Sequence, residues 1–254
     1  MTTLPHRLDR SVLIRARRET VFAFLTETDR WASWWGAGSS IDPTPGGRVL
    51  IRHPNGVEAS GNVLEVHPPS HIVFTYGYAT GKPSPPGSSR VTVRLDEHPD
   101  GTWLHLTHEF ADGDSRDQHI QGWRFQLSLF ANAVANAAAA GATALVDGWF
   151  DAWNEADASR RSDRLSLVAA GQVRFADRFS TLDGLEDLSA HLAAMHRFMP
   201  GMRISRSGDI RHCQWTVLSD WVSVGPDGQE RGRGTNLFQL DPDGRISAVT
   251  GFWS

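Results

Sequence analysis

The chain has 254 residues, 40% of them hydrophobic and 21% charged, with a formal net charge of −4. That composition suits a globular chain of one large or two small domains, and the mild acidity speaks against nucleic acid or an anionic membrane, which need a basic face. Cys213 is the single cysteine, so an internal disulfide and a thiolate-rich zinc site are excluded and a reducing compartment is expected.

The N-terminal residues scatter charge and contain no apolar run of signal-peptide type. The weakly polar run 131–145 is interrupted by Asn132, Asn136 and Gly141 and reads as too short for a bilayer, so a cytoplasmic protein is expected. Residues 9–16 read as a strand, and 19–25 as a helix with Val21, Phe22 and Leu25 on one face. Thr28 or Asp29 is the expected cap of a second short helix. Strand patterns follow at 48–53, 58–66, 71–78, 90–95 and 102–110, the last two joined by a turn at Asp100-Gly101. A long helix then repeats Ile120, Trp123, Leu127, Phe130 and Val134 on one face. Leu104, Leu106, His108 and Phe110 alternate on one strand face, and Ile72, Phe74, Tyr76 and Tyr78 on another, so the long helix is the expected cover of an antiparallel sheet.

Low-information sequence at 135–144 places a domain boundary, with units 1–138 and 139–254. Beyond it come helices at 145–153, 163–170 and 185–198 and a strand at 172–175. Strands at 202–221, 231–240 and 246–252 follow, with Asp-Gly turns at 227–228 and 243–244. Nothing repeats between the halves, so a fusion is expected. Trp31, Trp34 and Trp35 stand within five residues. Three rings that close are not expected to fit one core, so some are assigned to a groove or pocket.

Several segments together resemble the Hsp90-ATPase-activator-homologue branch of the START-like (SRPBCC) superfamily. They are ARRETVFAFL at 16–25, the following WWG, PGGR at 45–48, GNVLEVHPP at 61–69, GTWLHLTHEF at 101–110 and GWRFQL at 122–127. The resemblance implies a helix-grip domain, a curved antiparallel sheet around a long C-terminal helix, with an apolar cavity for a lipid, polyketide or other hydrophobic metabolite. In the second half, LVDGWFDAWN at 145–154, VRFAD at 173–177, GLEDLSAHL at 184–192 and the strands of 234–252 resemble a SnoaL-like member of the NTF2-like superfamily. That implies an α+β cone, with carboxylate or tyrosine chemistry in the family's enzymes. The overall class is therefore α+β, a helix-grip domain followed by a cone. Asn236 stands where enzymatic relatives often carry aspartate, and an amide is no general base, which weakens an enzyme reading.

Candidate ligand contacts in the first half are Trp34, Trp35, Tyr76, His108 and Trp123, with His53 and Tyr78 beside them. Each also suits plain core packing. In the second half Trp215 and Asn236 are candidate ligand contacts, and Trp215 and Trp221 suit a dimer interface equally. Asp177 is a candidate general base, with His196 or Asn236 as polariser; a capping aspartate is the plainer account. His191 and His196 lie five apart, off the helical zinc spacing, so no metal is expected. Without a GxSxG or a glycine-rich loop, neither Ser-His-Asp catalysis nor nucleotide binding is expected, and no cofactor. The reading is a two-cavity binding or stress-response protein for a small apolar or amphipathic ligand, without robust catalysis. An isomerase, cyclase or hydratase in the cone is the alternative, and an Hsp90-linked role the second. A homodimer through the C-terminal domain is expected by resemblance.

Overall fold

The structure is a computed structural model that describes residues 3–254. The chain divides into two compact units at Val134/Ala135.

In the first unit, β1 (His6–Ile14) is followed by α1 (Arg18–Thr26) and α2 (Thr28–Trp35). Then come β2 (Ser40–Ile41), β3 (Arg48–Arg52), β4 (Glu58–His67), β5 (His71–Tyr76), β6 (Ser89–His98) and β7 (Gly101–Phe110). They form one antiparallel sheet in the order β1-β7-β6-β5-β4-β3-β2. The β6–β7 hairpin turns at Gly101, whose φ of +137° suits glycine and where a Cβ would stand 2.1 Å from the Ile14 carbonyl oxygen. α3 (Gly113–Ala138) lays its apolar face on the sheet, burying Trp123, Leu127, Phe130 and Val134. A curved sheet gripping a long helix is the expected helix-grip arrangement.

The three clustered tryptophans correct the expectation that so many rings do not fit one core, although Trp35 also borders the cavity described below. Trp31, Trp34 and Trp35 are all buried, at 0%, 5% and 4% exposure. Positions 31, 34 and 35 are i, i+3 and i+4 on α2, so the rings share one helix face and enter one core together. Trp34 packs on Phe130 (4.9 Å between ring centres) and Trp31 on Phe74 (5.7 Å). The cap of α2 is also corrected: Glu27 is the N-cap, with no side-chain cap bond. Thr28 instead donates its hydroxyl to the Ile41 carbonyl, 3.1 Å away, and ties the helix to β2.

The run 131–145 is a further correction. It is helical throughout, because the two asparagines are tolerated within α3 and Gly141 falls in a 3-10 turn at Ala139–Gly141. It belongs to a helical run, Gly113–Asn154, that is long and apolar enough to cross a membrane by length and composition alone. In the first unit its apolar face forms the core just described.

The second unit contains α4 (Ala142–Asn154), α5 (Ala158–Val168), β8 (Ala169–Ala176), β9 (Thr181–Asp183) and α6 (Gly184–Phe198). Strands β10 (Arg203–Cys213), β11 (Thr216–Val224), β12 (Glu230–Leu240) and β13 (Ile246–Trp253) complete it. Its sheet runs β10-β11-β12-β13-β8-β9, antiparallel except for the parallel β13–β8 pair. Alternation puts Val217, Ser219 and Trp221 of β11 and Asn236, Phe238 and Leu240 of β12 inside. Helix α4 supplies the buried Trp149 and Trp153, which pack against Phe175 and Phe238. Trp215 and Cys213 do not belong to β11: Trp215 is buried in the turn before it, and Cys213 is exposed at the end of β10. Gln214 between them, at φ +50°, turns the chain from β10 into β11.

Candidate functional site

A cavity of about 590 Å³ opens in the first unit between α3, β5 and the end of α2. That lies within the ~300–1,000 Å³ of small-molecule sites. Buried Trp35, Tyr76, Trp123 and Gln126 line its depth, and exposed Pro54, Asn55 and Phe125 its rim. No aspartate, glutamate, lysine or arginine lines it.

Behind this wall runs a chain of buried hydrogen bonds. The Trp123 indole N–H donates to His108 Nδ1 at 2.9 Å. An indole can only donate, so Nδ1 is the bare nitrogen and Nε2 carries the proton. Nε2–H then donates to Ser89 Oγ at 2.8 Å, and Ser89 donates to the Tyr76 carbonyl at 2.8 Å. Burial, with His119 nearby, holds the His108 pKa well below its ordinary 6.5, so the ring is neutral. His119 Nδ1 lies 2.6 Å from the Ser115 carbonyl, which accepts only, so Nδ1–H donates and Nε2 is left bare. Burial lowers the His119 pKa, and likewise that of His53. Burial, with Tyr78 next to it, raises the Tyr76 phenol well above its usual range.

Of the five residues assigned to this pocket from sequence, Trp35, Tyr76 and Trp123 line the cavity. His53 and Tyr78 join them. Trp34 does not reach it: its N–H donates to the Phe24 carbonyl at 2.9 Å, and its ring clamps α2 onto α3. His108 stands one layer back, orienting Trp123. The sequence reading passed over His119 and Gln126. Both share the helix face of Trp123, at i−4 and i+3, and that spacing was the available signal.

In the second unit, Asp177 and Asn236 flank Gly251. A Cβ there would sit 3.2 Å from Asn236 Oδ1 and 3.2 Å from Asp177 Cβ. Asp177 Oδ1 accepts from the N–H groups of Phe179 and Ser180, both at 2.8 Å, and Oδ2 from the Trp253 indole at 3.1 Å. The carboxylate therefore holds a turn and the end of β13, and no histidine bonds it. His196 Nε2 lies 2.9 Å from the Trp153 carbonyl instead, and His212 is exposed. Trp215 is buried with its N–H unpartnered. Among the described residues no group of three or more His, Cys, Asp or Glu side chains is arranged to hold a metal ion.

One constellation was not expected. Ser11 Oγ lies 2.7 Å from His105 Nδ1, and His105 Nε2 lies 3.3 Å from Asp96 Oδ2. All three stand on the outer face of the sheet, on β1, β7 and β6, with Ser11 exposed. Such triads depend on a site that excludes water, whereas here Ser11 is exposed and the Asp96 side chain is 47% exposed.

The first unit is thus a helix-grip domain with a neutral, aromatic-lined cavity, and the second an α+β cone. Residues 15–135 match the family described as Activator of Hsp90 ATPase homolog 1-like protein. The N-terminal half accordingly resembles that START-like branch. Among solved structures, a SnoaL-like family protein from Agrobacterium tumefaciens is 27% identical, with 44% of this chain and 96% of that one covered and a TM-score of 0.43. The Aha1 dimer from Colwellia psychrerythraea is 17% identical, covering 51% of this chain and 96% of that one, with a TM-score of 0.44. CalU16 from Micromonospora echinospora is 26% identical over 51% of this chain and 74% of its own, with a TM-score of 0.41. No curated protein matches the chain.

Proposed function

We propose that the protein binds a small apolar or amphipathic molecule in the first unit, with Trp35, Tyr76 and Trp123 as contacts. The observation that carries this reading is the 590 Å³ cavity whose wall is aromatic and free of ionised side chains. Apolar wall area supplies the affinity, and a few fixed polar atoms supply orientation. Titration with a panel of lipids and flavonoids should quench tryptophan fluorescence and raise the melting temperature. A panel that moves neither signal removes the reading.

The cone has less support as a catalyst. Both Asp177 oxygens are engaged by N–H donors, and Asn236 has no basic function. For a binding role there, the proposed contacts are Asn236 and Trp215, both buried. An Hsp90-linked role has the family description alone behind it. For assembly, we propose a homodimer through the second unit, supported by its exposed Phe179, Phe252 and Trp253.

A further inference from the structure

The polar atoms around the first cavity restrict what its occupant carries, given that the cavity is a ligand site. Gln126 lines the cavity at 6% exposure. Its Nε2 donates to the Trp34 carbonyl, which fixes the amide's orientation and leaves Oε1 as an acceptor with no hydrogen-bond partner. His119 repeats the pattern: Nδ1–H is committed to the Ser115 carbonyl, and Nε2 is a bare, buried acceptor. Trp35 Nε1–H and His53 Nε2, on residues that also line the cavity, are buried with no hydrogen-bond partner among the described residues. Buried polar atoms are satisfied in nearly all native structures, and a cluster of exceptions on one cavity marks partners to be supplied from outside the chain.

We infer that the cavity takes a neutral aromatic or alicyclic ligand whose polar group is a hydroxyl, a phenol above all. A hydroxyl donates one proton and accepts another. It therefore suits a wall that offers the acceptors Gln126 Oε1 and His119 Nε2 and the donor Trp35 Nε1–H, with His53 Nε2 and the hydroxyl-bearing Tyr76 and Tyr78 beside them. A carboxylate meets two acceptors and no cation, because His53, His108 and His119 are held neutral by burial and no arginine or lysine lines the wall. An ammonium meets no carboxylate. Both charged classes lose their hydration without a countercharge, which is the costly case.

Calorimetric titration of the full chain with 2-naphthol, 2-methoxynaphthalene and 2-naphthoate at neutral pH tests this. The naphthol is expected to bind about five- to tenfold tighter than the methyl ether, the worth of one neutral hydrogen bond, and the naphthoate weakest of the three. Gln126→Met, which keeps the side chain's length and removes the acceptor, is expected to shrink the naphthol preference. His119→Phe is the second variant should the first fold poorly. Equal or tighter binding of the methyl ether overturns the hydroxyl assignment while leaving the cavity a ligand site. Tightest binding of the naphthoate overturns its neutrality. Binding of none of the three, together with an inert lipid and flavonoid panel, removes the ligand site itself.

Discussion

His108 shows how one residue's setting fixes both its proton and its effect on stability. Its nitrogens face an obligate donor, Trp123, and a serine hydroxyl, so the folded protein holds one neutral tautomer. Its folded pKa lies below the 6.5 of an exposed imidazole, so between those values the unfolded chain binds more protons. The stabilisation is complete above about pH 6.5 and is lost as pH falls through that value toward the folded pKa. His53 and His119 shift the same way and add to the effect. The melting temperature should hold steady above neutrality and fall below about pH 6.5, well before the carboxylates titrate, and His108→Gln should flatten that slope. A melting temperature that climbs on acidification would contradict the assignment. The inward parity of His108 was legible from strand alternation, but its partner was not, because Trp123 comes from an element fifteen residues on whose docking depends on the whole sheet.

At the scale of elements, α3 has two jobs on neighbouring faces. Leu127, Phe130 and Val134 seal the core, while His119, Gly122, Trp123 and Gln126 border the cavity. Gly122 is the informative position, because it lies mid-helix, is exposed, and has nothing within 4 Å of where a Cβ would stand. Replacing a helix-interior glycine with leucine stabilises by about 0.5–1 kcal/mol. Gly122→Leu should therefore raise stability to denaturant while its side chain fills the cavity mouth and removes ligand binding. A variant that binds as before would place the ligand elsewhere. Helix and strand order was readable from periodicity and turn residues, since apolar residues recur within each element at the spacing packing demands, as Val21 and Leu25 do in α1 and Leu104 and Leu106 in β7. Short β2 and β9 were not, because two or three residues carry no period. The meeting of Ser11, His105 and Asp96 on three strands was equally hidden, since register is set by the fold and not by spacing.

At the scale of the molecule, two units with separate cores follow one another in a single chain. The second leaves Phe252 and Trp253 on its terminal strand 56% and 40% exposed, with Phe179 beside Trp253. Contiguous exposed aromatics of that kind are characteristic of association surfaces. Light scattering should report a mass of two chains, reduced to one by Phe252→Asp. A monomer at all concentrations would refute the dimer.

The unsatisfied indole of Trp35 gives the molecule a built-in reporter. The chain has ten tryptophans, and two of them, Trp35 and Trp123, border the cavity. The Trp123 proton is already spoken for by His108, whereas that of Trp35 has no acceptor. In a nitrogen-15 correlation spectrum of the side-chain indoles, an occupant that accepts from Trp35 would displace one resonance strongly downfield, and one that does not would leave it near its starting shift. A single peak thus separates recognition from occupancy without any variant.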